Sequence, residues 1–144
     1  MRKTLFTSLA VAAMFVGTAA HAATMTVFKS PSCGCCAKWV EHVEQHGFTV
    51  KTIATEDMAA VKTRLKVPAA LLSCHTTVVG GYVVEGHVPP ADIKRLLKLK
   101  PKARGIAVAG MPMGAPGMEH GDHRQPYATM LIGPTGKPTV FARH

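Results

Sequence analysis

The sequence predicts an α/β fold, and three observations carry that prediction. Apolar residues switch between the two-residue period of strands and the helical period along residues 24–98. Gly80-Gly81 separates two β-prone runs, the signal of a two-residue hairpin. Breakers fall between the periodic segments, at Pro31, Pro68, Pro89-Pro90 and Pro101. Of the 144 residues, 47% are hydrophobic and 17% charged, so one domain can bury a core without cross-links.

Taken in order, Thr24 to Phe28 is a short strand, broken by Ser30-Pro31-Ser32. A helix follows, with Trp39, Val40 and Val43 on one face and Gly47 placed to end it. Phe48 to Ala54 alternates as a strand. Met58, Val61 and Leu65 mark a second helix that must stop before Pro68. Thr76–Val79 and Tyr82–Val84 flank the diglycine, and Ala91 to Lys98 forms a third helix with Ile93, Leu96 and Leu97 inward. The order β-α-β-α-β-β-α is that of a thioredoxin-like core, expected over 23–104. Residues 105–144 read as an extension of the same domain: an irregular Gly/Pro-rich loop, then a hairpin from Thr129–Ile132 and Pro138–Phe141.

The chain opens with Arg2 and Lys3, runs uncharged from Thr4 to Ala20 and closes on Ala20-His21-Ala22. That is the layout of a signal peptide over 1–22, so the mature chain is expected in the periplasm, with no membrane span of its own. Without it, 15 Lys+Arg face 8 Asp+Glu. The charges are dispersed except from Lys94 to Arg104, which reads as a solvated helix face, and an exported chain of this kind is not expected to bind nucleic acid.

Cys33-Gly34-Cys35-Cys36 falls where the first strand turns into the first helix. Helix N-termini stabilise thiolates. Cys33-x-x-Cys36 has the spacing of thiol–disulfide oxidoreductases, but Cys35 would compete for the mixed disulfide. Three thiolates within four residues suit a soft cation better, Cu(I) above all outside the cytoplasm. In the expected fold the loop holding Cys74 faces the same helix end, so four sulfurs can gather there. Zinc, with four cysteines as a structural site, and a disulfide-stapled adaptor of an efflux complex are the remaining alternatives.

A second ligand-rich stretch holds Met111, Met113, Met118, His120 and His123. Thioethers suit Cu(I) and resist oxidative pairing, while imidazole also accepts Cu(II). His42 and His46 are an i, i+4 pair that reads as plain surface or as a chelate. His75 adjoins Cys74. His87 and His144 carry no signal beyond their type, and Trp39 is expected in the core or as a lid over the cysteines.

Ser-Pro-Ser-Cys33-Gly-Cys35-Cys36, Ser73-Cys74-His75-Thr76, Gly81 to Pro89 and Gly110-Met-Pro-Met-Gly114 together resemble the CopG-type periplasmic copper-resistance proteins, a thioredoxin-like metal-binding family. The resemblance covers nearly the whole mature chain. It implies a multinuclear Cu(I)–thiolate cluster on Cys33, Cys35, Cys36 and Cys74, association with periplasmic copper efflux or chaperone components, and a redox role interconverting Cu(I) and Cu(II). A binding protein is expected rather than an enzyme, with copper oxidoreductase chemistry as the alternative.

Overall fold

The computed structural model describes residues 23–144, so the signal peptide expected over 1–22 lies outside the described residues. Its seven-stranded sheet has the order β2-β1-β3-β4-β5-β6-β7. The strands are β1 (Thr24–Lys29), β2 (Thr49–Ala54), β3 (Thr76–Val79), β4 (Tyr82–Glu85), β5 (Gly105–Ala107), β6 (Ala128–Ile132) and β7 (Pro138–Arg143). The helices are α1 (Gly34–Gln45), α2 (Met58–Arg64) and α3 (Pro90–Leu99), with a 3-10 turn at Ala69–Leu71.

Every element expected between Thr24 and Lys98 is present, within about two residues at its ends. Gly47 follows α1 at φ +87°, the left-handed geometry that stops the helix. Asp57 caps α2, its carboxylate accepting the Ala60 N–H at 2.9 Å. β1 runs parallel to β2 and antiparallel to β3, and the diglycine closes the β3–β4 hairpin.

β5 was not expected. It is only three residues long, too short to show a period, and it lies parallel to β4 after the α3 crossover. β6 then pairs with it antiparallel, so the expected C-terminal hairpin extends the same sheet.

α1 and α3 cover one face. Trp39, Val43, Ile93 and Leu96 pack there with Met25, Val27, Val84 and Ile106. Leu71, Ala107, Ile132 and Met130 cluster separately. Neighbouring Ile106 and Ala107 enter different clusters because successive strand residues point to opposite faces.

Asp92, on α3, is a buried carboxylate. Thr129 Oγ1 donates to it at 2.6 Å and the His144 imidazole lies at 2.9 Å, which ties the last residue of the chain to the sheet. Lys94, Arg95 and Lys98 are exposed, as a solvated helix face requires.

Candidate metal centre

β1 leaves the sheet at Lys29, and Cys33 takes extended backbone geometry as the residue preceding α1. Cys35 and Cys36 then lie in the first helical turn, where unpaired backbone N–H groups favour negative sulfur. Cys36 is fully buried; Cys33, Cys35 and Cys74 are half-buried. Cys33 and Cys36 are joined by a disulfide, leaving Cys35 and Cys74 as thiols. Cys35 Sγ lies 3.5 Å from Cys33 Sγ and 3.9 Å from Cys74 Sγ. All four sulfurs fall within 4.8 Å of one another, at the end of the sheet where they were expected to meet.

Cys74 is held there by a buried polar network. Glu85 Oε1 accepts the Ser73 N–H at 2.8 Å and the Lys62 ammonium at 2.6 Å, while Thr76 Oγ1 donates to Oε2 at 2.6 Å. The backbone immediately before Cys74 is therefore anchored to β4. Burial pushes the Glu85 carboxyl above its usual range, and the Lys62 and Thr76 contacts pull the other way.

His87 is the site residue that sequence reading passed over. Its Nε2 lies 2.9 Å from Cys74 Sγ, and its Nδ1 donates to the Pro116 carbonyl at 2.8 Å. Because a carbonyl only accepts, Nδ1 carries the proton and Nε2 presents a lone pair to the thiol. The signal was available by counting. The β3–β4 register pairs Thr76 with Glu85, and Gly86 N–H donates to His75 C=O, so the next positions outward are Cys74 and His87.

His75 is fully buried, with Nδ1 3.6 Å from Cys74 Sγ and Nε2 without a hydrogen-bond partner among the described residues. Its ring lies 4.5 Å from Trp39 and 5.0 Å from His87. Trp39 is thus both core and wall of the site, its indole N–H donating to Val88 C=O at 2.9 Å. Burial holds both imidazoles below their ordinary range, His75 well below it, so both are neutral. Burial also pushes the Cys74 thiol up to about 11, with Cys35 adding to the rise. Cys74, His75 and His87 form a second donor group that shares its sulfur with the cysteine set.

The Met/His loop folds back over α1. Gly117 lies at φ +81°, and a Cβ there would come 2.8 Å from both Cys35 O and Trp39 N, so only glycine lets the loop lie this close. The loop and helix enclose an open cleft of about 380 Å³ lined by Cys35, Lys38, Met113, Met118, Glu119 and His120. Three of the five expected ligands in this loop therefore line the approach to Cys35. Met111 is 54% exposed and outside the cleft lining, as is His123. His120 and His123 instead stack on each other, ring centroids 6.4 Å apart.

The comparison with solved structures is decisive. A structure titled copper resistance protein CopG, form 2, is 43% identical to this chain, with a TM-score of 0.82, over 85% of this chain and 98% of the other. The chain belongs to the CopG family. Form 1 of the same-named protein agrees, at 44% identity and a TM-score of 0.80 over 84% of this chain and 96% of the other. The family model described as "Protein of unknown function, DUF411" matches residues 71–118, which in this CopG-family chain run from the Cys74 loop through His87 to Met118. A comparison with curated proteins finds no match.

Proposed function

We propose that this protein binds copper as cargo in copper resistance, holding Cu(I) on the thiolates of Cys33, Cys35, Cys36 and Cys74. The observation that carries this reading is the convergence of four sulfurs within 4.8 Å of one another. Soft thiolates prefer Cu(I), and bridging sulfurs let a few ligands serve several cuprous ions, so the site is multinuclear. The family membership supports copper as the metal, since the similar solved structures carry copper resistance in their titles.

The disulfide makes loading redox-dependent. An external dithiol that is itself oxidised to a disulfide must first reduce Cys33–Cys36 by exchange, giving two thiols, before all four sulfurs can bind metal, and the reverse exchange with a disulfide would release the copper. Alternation of the cargo between Cu(I) and Cu(II) belongs to the same reading. Met113, Met118 and His120 line the approach by which an ion reaches Cys35, with Met111 and His123 as outer contacts.

The architecture that supports this role is a thioredoxin-like core over 23–104, with 105–144 as its extension. The chain acts in the periplasm after loss of residues 1–22, and its partners are copper efflux or chaperone components. Among the described residues no helix is long and apolar enough to cross a membrane.

A second reading is favoured by one observation: the Cys33–Cys36 disulfide at a helix N-terminus has the spacing of thiol–disulfide oxidoreductases. One experiment separates the two. The reduced protein is titrated anaerobically with Cu(I) against a competing chelator, alongside Cys35→Ser, and both proteins are assayed for disulfide reduction. More than one tightly bound copper per chain, lost in the variant, supports the copper site. Weak binding unchanged by the variant, with reductase activity retained, supports the oxidoreductase; zinc held in preference to copper supports the structural alternative.

A further inference from the structure

His42, in the last turn of α1, and His46, the residue that caps its end, lie four residues apart and away from the sulfurs, and the tertiary structure brings a carboxylate to His42. Glu119, at the end of the Met/His loop, places Oε1 2.7 Å from His42 Nε2. The carboxylate is oriented from behind, because Oε1 also accepts the Gly117 N–H at 2.9 Å. The two rings are nearly parallel, 18° apart in plane, with centroids 6.4 Å apart.

The geometry points to a second metal site, in which His42, His46 and Glu119 bind a borderline divalent cation such as Cu(II) or Zn(II). Two imidazoles and one carboxylate suit such an ion and offer nothing to hold Cu(I) in preference. His46 Nδ1 lies 2.7 Å from the His42 carbonyl, so Nδ1 carries the proton and Nε2 keeps its lone pair.

An ion with bonds of about 2.0–2.1 Å holds adjacent donors roughly 2.9–3.4 Å apart. The His42–Glu119 pair is therefore a few tenths of an ångström from ligand spacing, and the ion displaces the proton they share. His46 is exposed and completes the set by rotating its side chain, which exchanges the Nδ1 contact to the His42 carbonyl for a bond to the ion. The stripe Cys35, Lys38, His42, His46 follows one side of α1, so the donors harden along the helix from sulfur to imidazole and carboxylate.

The inference does not rest on the thiolate reading, and its test keeps the two apart. The protein carrying Cys35→Ser and Cys74→Ser, with the Cys33–Cys36 disulfide retained, is titrated separately with Cu(II) and with Zn(II) against glycine as competitor, and the Cu(II) form is read by electron paramagnetic resonance. One ion per chain is expected. His42→Ala and Glu119→Gln should each weaken binding at least tenfold, and His46→Ala should remove one nitrogen coupling from the Cu(II) spectrum. The more tightly held of the two ions is then the site's own. Binding that survives all three changes within twofold, or is lost instead in His120→Ala or His123→Ala, overturns the assignment. The three positions are exposed or half-exposed, so circular dichroism should show the fold unchanged.

Discussion

The thiol of Cys74 and the Nε2 of His87 lie 2.9 Å apart because they occupy facing positions just beyond the paired ends of the β3–β4 hairpin. Counting outward from Gly80-Gly81 places a sulfur and an imidazole together, and the Pro116 carbonyl then selects the tautomer that turns a lone pair toward the sulfur.

This relationship makes His87 a determinant of copper binding. His87→Ala should lower Cu(I) affinity about 10- to 100-fold, the usual range for a residue that ligates or orients a ligand. Competition against a Cu(I) chelator measures it. Wild-type affinity in a folded variant would remove His87 from the site.

Copper loading should strengthen with pH. The Cys74 thiol, pushed up to about 11, stays protonated across the neutral range, so a metal taking that sulfur must displace its proton. Apparent Cu(I) affinity should rise about tenfold per pH unit for each proton released. Titrations at pH 6, 7 and 8 give the slope, and a flat profile would exclude Cys74 as a ligand. Alkylation of Cys74 at pH 7 should also run roughly 100-fold slower than for a thiol at its ordinary pKa.

The Lys62–Glu85 pair gives a stability prediction with a definite sign. Burial raises the Glu85 carboxyl and Lys62 opposes the rise, so Lys62→Met should raise it further. A carboxyl with a raised folded-state pKa contributes its stability below its unfolded value and loses it as pH climbs through the raised one. Relative to the wild type, Lys62→Met should therefore lose more stability at pH 8 than at pH 5, by up to about 1.4 kcal/mol per pH unit within that window. Denaturant unfolding at both values tests this. Adding Glu85→Gln should abolish the difference.

Gly117→Ala should lift the Met/His loop from α1. The added methyl would meet Cys35 O and Trp39 N at 2.8 Å while forcing a left-handed backbone on alanine. A cost of about 1–3 kcal/mol follows, read from thermal unfolding and from the fluorescence of Trp39, the protein's single tryptophan. An unchanged melting temperature would mean that the loop does not depend on this contact.

Local sequence determined a great deal of this protein. Periodicity and breakers located α1, α2, α3 and the first four strands, since each encodes its structure in side-chain spacing and in residues that end it. The Cys33–Cys36 cluster was legible because it is contiguous. Cys74 was legible because fold topology alone puts its loop opposite the helix end. Three things needed the folded chain. β5 is three residues long and forms because α3 returns the chain alongside β4. His87 faces Cys74 by a hairpin register that can be counted from Gly80-Gly81, but the Pro116 carbonyl that sets its tautomer comes from a loop that only the folded chain brings there. Glu119 becomes a partner of His42 only because a glycine without a Cβ lets a loop from far along the sequence lie on α1. Spacing along a chain records neighbours on one element, whereas contacts between elements are decided by packing, which no local pattern contains.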